Sequence, residues 1–441
     1  MTPVVCLDVG STFTKALLVD LDDAVVLGAA EHPTTVGTDV LEGVDACVAR
    51  LDAADAPLLV CSSAGGGLRI AVVGNEELVT AEAGRRVALS SGGKVVAVVA
   101  AAAGPFGLDD LAGPDVVLLT GGTDGGNAEV VVGAARRLKR AGWRGPVVAA
   151  GNADAADEVR AALAGLPVVV APNVVPRIGE LRPEGARAAM REMFLSHVIG
   201  GKQLSAGDRF ASLVRGATPD VVLTGVEVLA AAVGPVVVVD VGGATTDVHS
   251  VVELDAETGA LAREVVAATP VTRTVEGDLG MRWSAVSTAE AAGLDDLADA
   301  AAARAADPSW LPATETDHDD DEALARAATG LALRRHAGRA RVVVGPEGRV
   351  IERSGVDLRE VGLVVLSGGV LRHGRPGVAD RVLAGSTGRD VEGGWQLPER
   401  PRVVVDARYL LAAVGLLAEG YPDTASRLAA TLADDARSRP T

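Results

Sequence analysis

The chain has 441 residues, more than one ordinary hydrophobic core accommodates, which predicts two domains. Its 48% hydrophobic and 23% charged residues exclude a disordered chain. The formal net charge of −18 excludes a basic nucleic-acid surface and argues against attachment to an anionic membrane.

With only 2% aromatic residues, the cores are expected to be packed from Ala and Val. Cys6, Cys47 and Cys61 form no CxxC pair, which predicts a reducing, cytoplasmic setting with neither a disulfide framework nor an iron–sulfur cluster. No signal peptide is read at the start, and the longest apolar stretch, Val95 to Ala103, falls well short of the ~20 residues a membrane span needs.

In chain order, Val4 to Val9 reads as a buried strand, followed by a Gly/Ser/Thr turn and a second strand, Ala16 to Asp20. The turn Asp22-Asp23 leads into Val25 to Ala29. Residues 39–51 have helical spacing, and Pro57 to Cys61 is a short strand ending in a glycine-rich loop. From about 93 to 172, strands at 95–100, 115–120, 146–150 and 167–171 alternate with helices near 127–141 and 153–164, which predicts an inserted parallel α/β module. Residues 180–200 read as helix. A new strand, Val236 to Asp240, opens the second half, and 288–306 and 322–337 are Ala-rich helical candidates. The run Asp317-His318-Asp319-Asp320-Asp321 between them reads as a solvated loop rather than a metal site. The expected division is 1–235 and 236–441, with a helical insertion at about 287–340 in the second part.

The most informative feature is a repeat. Asp8-Val9-Gly10-Ser11-Thr12-Phe13-Thr14-Lys15 and Asp240-Val241-Gly242-Gly243-Ala244-Thr245-Thr246-Asp247 share one plan: an apolar strand ending in Asp-Val-Gly, a hydroxyl-rich turn, then another apolar segment. Glycine lets backbone approach a phosphate, while turn N–H groups and hydroxyls donate to its oxygens. A leading Asp can hold Mg²⁺ through water, because that ion dehydrates reluctantly.

These hairpins resemble the phosphate-1 and phosphate-2 motifs of the actin/Hsp70/sugar-kinase superfamily. Leu366-Ser367-Gly368-Gly369-Val370 resembles its adenosine motif, and Val226 to Gly234 and Asp406 to Gly415 resemble its two connecting helices. The resemblance implies an α/β fold of two ribonuclease H-like lobes clamping ATP with Mg²⁺. It implies Asp8 and Asp240 as Mg²⁺ positions, Lys15 near the β/γ-phosphates, and phosphate hydrogen bonds from Ser11, Thr12, Thr245 and Thr246. Gly10, Gly242 and Gly243 would permit close approach, and Gly277, Gly280, Gly368 and Gly369 would frame the adenosine side. Glu227 or Asp247 would orient the attacking water. Glu227 reads equally as a carboxylate at a helix N-terminus, stabilised by the dipole.

Further segments narrow the resemblance. Leu119 to Asn127, Arg273 to Arg282, Cys61 to Arg69 and Pro172 to Pro176 are similar to the glutamate mutase-associated family called MutL or GlmL, unrelated to the mismatch-repair protein. This implies a slow Mg²⁺-dependent ATPase that acts as a chaperone-like reactivating partner of an adenosylcobalamin-dependent mutase. A small-molecule kinase and a nucleotide-binding scaffold without turnover are the alternatives. A reductive activator with an iron–sulfur cluster is disfavoured by the cysteines, and a homodimer stays open. Thr120 to Gly126, leaving a strand and entering a helix, reads either as a ligand loop or as a packing turn.

Overall fold

The computed structural model describes residues 1–254, 269–345, 348–389 and 393–435. They form two compact units: Met1–Gly225 with Ala412–Ala425, and residues 226–254, 269–411 and 426–435. The division falls inside the helix Thr218–Val233, earlier than the expected boundary at 235.

In the first unit, Pro3–Val9 (β1), Phe13–Asp20 (β2) and Val25–Pro33 (β3) form an antiparallel meander. Val5, Leu7 and Val9 alternate inward with the period of two that a pleated strand imposes. Leu58–Ser62 (β4) lies parallel to β1.

A second, all-parallel sheet then interrupts the first: Leu68–Gly74 (β5), Gly93–Ala100 (β6), Val116–Leu119 (β7), Val147–Ala149 (β8) and Val168–Val170 (β9). Its order is β6-β5-β7-β8-β9, so it begins well before residue 93, with β5 as an inner strand that the sequence pattern did not reveal. The reason is local. Gly65, Gly66 and Gly67 all have positive φ and turn β4 into β5 within a single 3-10 turn, Ala64–Gly66, with no α-helix between them, so no strand–helix alternation marks the start of β5. Both faces of this sheet are covered, which explains its unbroken Val/Leu runs. Val214–Ala217 (β10) returns to the first sheet, giving the order β10-β4-β1-β2-β3.

The second unit repeats that plan. Val236–Val241 (β11), Thr246–Val251 (β12) and Val271–Glu276 (β13) are antiparallel. Arg339–Gly345 (β14) and Gly348–Ser354 (β15) make a separate hairpin. Leu363–Ser367 (β16) and Arg402–Val405 (β17) add in parallel, giving β13-β12-β11-β16-β17. The β10-β4-β1-β2-β3 and β13-β12-β11-β16-β17 sheets therefore share the chain order third-second-first-fourth-fifth, a ribonuclease H-like topology, whereas the inserted parallel sheet does not.

Helices Ala285–Ala292, Ala298–Ala306 and Glu315–His336 belong to the second unit, the last packing Leu324, Ala328 and Leu333 into the core with Val237 and Val239. The acidic run 317–321 is not a solvated loop. It lies in the first turns of Glu315–His336, where carboxylates suit the helix dipole and Thr314 with Asp317 closes a capping box. Asp321 is 3% exposed and accepts from Arg304 Nε at 2.5 Å and Arg282 at 3.2 Å. Among the described residues, no helix is long and apolar enough to cross a membrane.

Candidate functional site

Two turns, one in each unit, are built alike. Between β1 and β2, Asp8 pairs with Lys15 and Val9 with Thr14, and the Gly10 N–H donates to the Phe13 carbonyl at 3.1 Å. Between β11 and β12, Asp240 pairs with Asp247 and Val241 with Thr246, and the Gly242 N–H donates to the Thr245 carbonyl at 2.9 Å. A Cβ on Gly10 would sit 2.8 Å from the Phe13 oxygen, and one on Gly242 2.8 Å from the Thr245 oxygen. Glycine is thus demanded first by the turn closing on its own carbonyl, before any ligand is considered.

In the first unit Asp8 receives the Thr218 hydroxyl at 2.6 Å, and Lys15 Nζ lies 3.9 Å from its other oxygen. Ser11 and Thr12 are exposed at the tip of the turn. Thr218 was not legible as a site residue, although Thr218-Pro219 is a helix-start signal, with Pro favoured in the first turn. That helix begins at Thr218, so Glu227 lies well inside it and is not an N-terminal carboxylate. The buried carboxylate near the helix start is Asp220, 2% exposed, which accepts from Arg191 Nε at 2.6 Å.

In the second unit the turn is braced from behind. Met281 N–H donates to Gly242 O at 2.9 Å, Arg282 N–H to Gly243 O at 2.8 Å, and Ser284 Oγ to Ala244 O at 2.7 Å. Trans peptide planes point N–H and C=O in opposite directions. Tying these three carbonyls back therefore turns the amides of Gly243, Ala244 and Thr245 the other way, the arrangement of an anion-binding nest. Gly280 belongs to the brace, since a Cβ there would be 2.8 Å from the Gly243 oxygen, whereas Gly277 has open space around it.

Two expected ligand groups are committed elsewhere. Thr246 is fully buried and its hydroxyl donates to Leu279 O at 3.0 Å, so it belongs to the core and not to the exposed hydroxyls of the turn. Asp247 accepts from Arg273 Nε at 3.0 Å and from the Thr245 hydroxyl at 3.2 Å. Arg273 is only 4% exposed; it opens the family-like segment Arg273 to Arg282, but nothing local marked it as the partner of Asp247.

At the end of β16, Gly368 has φ +117°, and a Cβ would meet the Val241 oxygen at 2.2 Å. The glycine lets this loop cross the end of β11. Gly369 has open space, so of the pair it is the residue with room beside it. Asp406, after β17, is buried and accepts from the Leu410 and Leu411 amides at 2.8 and 3.1 Å. Burial raises its carboxyl above the usual range, and these amides oppose the shift.

The three cysteines are free and buried. Burial pushes the Cys6 thiol up to about 12, and burial and then the Asp8 charge push Cys61 up as well. These are inert packing groups.

The family model described as MutL protein matches residues 4–432. Protein MutL of Clostridium tetanomorphum is 35% identical over 458 residues, covering 97% of this chain and 98% of that one. Among solved structures, the chain is similar to xylulose kinase from Bifidobacterium adolescentis, with 12% identity, 98% and 93% of the two chains covered, and a TM-score of 0.33. Ethanolamine utilization protein EutJ from Carboxydothermus hydrogenoformans gives 11%, 94% and 89%, and 0.32. The inorganic polyphosphate/ATP-glucomannokinase of Arthrobacter sp. strain KM gives 16%, 97% and 100%, and 0.29. The family model and the full-length relative agree, and the chain belongs to the MutL protein family.

Proposed function

We propose that this protein binds ATP with Mg²⁺, hydrolyses it slowly, and acts as an accessory, chaperone-like reactivating protein for an adenosylcobalamin-dependent mutase, glutamate mutase or a related aminomutase, in the cytoplasm. The observation that carries the nucleotide reading is the pair of hairpin turns with the same register, the same turn hydrogen bond and the same glycine requirement. A turn rich in outward amides and hydroxyls is a donor set that holds phosphates without a basic surface, and the strand-end Asp is a place for their counter-cation.

Each hairpin offers a hard oxygen ligand of the kind Mg²⁺ takes. Mg²⁺ usually takes one or two carboxylates and keeps waters and phosphate oxygens, so Asp8 and Asp240 would be its protein share. Bound there, the ion would supply charge neutralisation on the phosphates. Lys15 would add a point charge beside Asp8, while Ser11, Thr12 and the amides of 243–245 would donate; the Thr245 hydroxyl, which donates to Asp247 here, would have to turn from it to do the same. Gly369 offers the open backbone of the adenosine motif. Glu227 would orient water. Asp247, engaged by Arg273, supports the hairpin instead of serving that role.

The mutase role rests on the family resemblance, and it has a physical requirement: the mutase must bind the nucleotide-loaded and nucleotide-free forms differently. The test is calorimetric titration of ATP with Mg²⁺, together with phosphate release, for wild type, Asp240→Asn and Lys15→Ala. Binding in wild type that both substitutions weaken supports the reading. No binding in wild type, or stoichiometric phosphorylation of a metabolite, sinks it in favour of a scaffold or a kinase.

A further inference from the structure

The inserted parallel sheet has a point where its connections diverge. From β5 the chain turns to β6 on one side, and β7 is added on the other. The helix after β5, Glu82–Ser90, packs Val87 and Ala88 with Ile70 and Val72. The helix after β7, Glu129–Ala141, packs Val131 and Leu138 with Val73 and Leu119, on the opposite face. When successive helices leave on opposite faces, the strand ends between them are parted. Open α/β sheets take ligands in the crevice at that point.

Asn75 and Gly121 stand there, immediately after β5 and close after β7. The Asn75 backbone is fully engaged: its N–H donates to Thr80 Oγ1 at 2.7 Å and its carbonyl accepts from Ala102 N–H at 2.9 Å. Its side chain is 1% exposed, and neither Nδ2 nor Oδ1 has a hydrogen-bond partner in the described protein. Buried amides are nearly always paired, because an unpaired one keeps the cost of its lost hydration.

The asparagines at the ends of β8 and β9 behave differently. Asn152 donates to Gly126 O at 3.1 Å and accepts from Asp154 N–H at 3.0 Å. Asn173 donates to Gly122 O at 2.9 Å and accepts from Val175 N–H at 3.0 Å. Those two tie the loop 121–126 in place. Asn75, on the same edge, keeps one donor and one acceptor group uncommitted.

Gly121 has φ +145°, and a Cβ there would fall 2.0 Å from Asn75 Oδ1, so the amide lies directly against this glycine at the crevice. The adjoining loops expose Leu78, at 72%, on the π-helical turn Glu77–Ala81, and the carboxylates of Glu76, Asp124 and Asp154. Carboxylates on that rim disfavour a phosphate or any other anion.

We propose that this edge is a ligand site, distinct from the hairpin turns, for a neutral planar molecule with an amide-like donor–acceptor edge, a carboxamide or a nucleobase, which Asn75 engages through both atoms of its side-chain amide. The exposed Leu78 offers such a molecule an apolar surface.

The experiment titrates nicotinamide and cytosine separately into the full chain, by calorimetry and by hydrogen exchange read by mass spectrometry. The expected result is slowed exchange confined to 73–81 and 119–128 with at least one probe, and binding about tenfold weaker in Asn75→Ala. ATP binding stays unchanged in that variant. The exchange measurement uses wild type alone, so a misfolded variant does not hide the answer. Unchanged exchange in those segments with both probes overturns the proposal, as does equal binding by Asn75→Ala; Asn75 then holds a trapped water only. Protection by a probe in a protein that fails to bind ATP would refute the nucleotide reading and leave this one standing.

Discussion

Lys15 and Asp247 hold the same place in two hairpins of the same register, and their charges are opposite. Each stands across its ladder from an aspartate, Asp8 or Asp240. Lys15 forms a 3.9 Å ion pair with Asp8. In the second hairpin two carboxylates face each other, an arrangement that repels, and buried Arg273 offsets it by holding Asp247. The repeat keeps its backbone and breaks its charge.

The two positions should therefore fail differently. Asp247→Asn removes the carboxylate bonded to a buried guanidinium and is expected to cost roughly 3 kcal/mol in urea unfolding. Lys15→Ala, at a partly exposed pair, should change stability by less than about 1 kcal/mol while weakening ATP binding about tenfold. Equal effects on stability would contradict this division of roles.

Adjacent glycines offer a sharper contrast. Gly368→Ala puts a methyl group against the Val241 carbonyl at a positive φ, and should destabilise by about 2–4 kcal/mol. Gly369→Ala meets open space and should fall within about 0.5 kcal/mol of wild type. Thermal or urea unfolding of the two variants side by side decides it.

Acid should unfold the protein first through buried imidazoles. Burial holds His336 down to about 3, with its ring nitrogens 2.8 Å from Ser250 Oγ and 3.0 Å from Thr274 Oγ1. His249 is lowered too, by burial first and then by the Arg273 charge. An unfolded histidine takes up its proton near 6.5. As pH falls below that value the unfolded chain gains protons that the folded one refuses. Stability is thus complete above 6.5 and is lost below it, for His336 down toward 3, by up to about 1.4 kcal/mol per pH unit for each group. Glu322, held down to about 2 by Arg381 and Arg375, adds its loss only below its usual 4.5. Between pH 6 and 5 the slope of unfolding free energy should drop by about half in His336→Gln; an unaltered slope would show that His336 is not a source of it.

The thiols give a simple check of the packing. Cys6, Cys47 and Cys61 should be silent toward a disulfide reagent in the native protein, and all three should react in denaturant. A fast-reacting thiol in the native state would mean that the strand holding Cys6 or Cys61, or the helix holding Cys47, is not packed as described.

Much of this was legible locally. The alternation of Val4 to Val9, the Asp-Val-Gly ends of β1 and β11, and the helical spacing of 39–51 are periodic or turn signals that a few neighbouring residues carry by themselves. Because the hairpin recurs with its glycine and its leading aspartate in place, the sequence by itself determined the twofold plan, the family and the positions of the two turns.

It did not determine which side chains the turns keep for a ligand. Thr246 reads as a turn hydroxyl and is spent on Leu279 in the core. Asp8 takes its hydrogen bond from Thr218, 210 residues away, and Asp247 is claimed by Arg273 on the neighbouring strand. Asn75 was silent in the sequence, because an asparagine after a strand is an ordinary turn residue until packing removes its water and its partners. Backbone geometry is written in local spacing, whereas burial and pairing depend on which distant segments the fold brings alongside, and only the tertiary structure decided those.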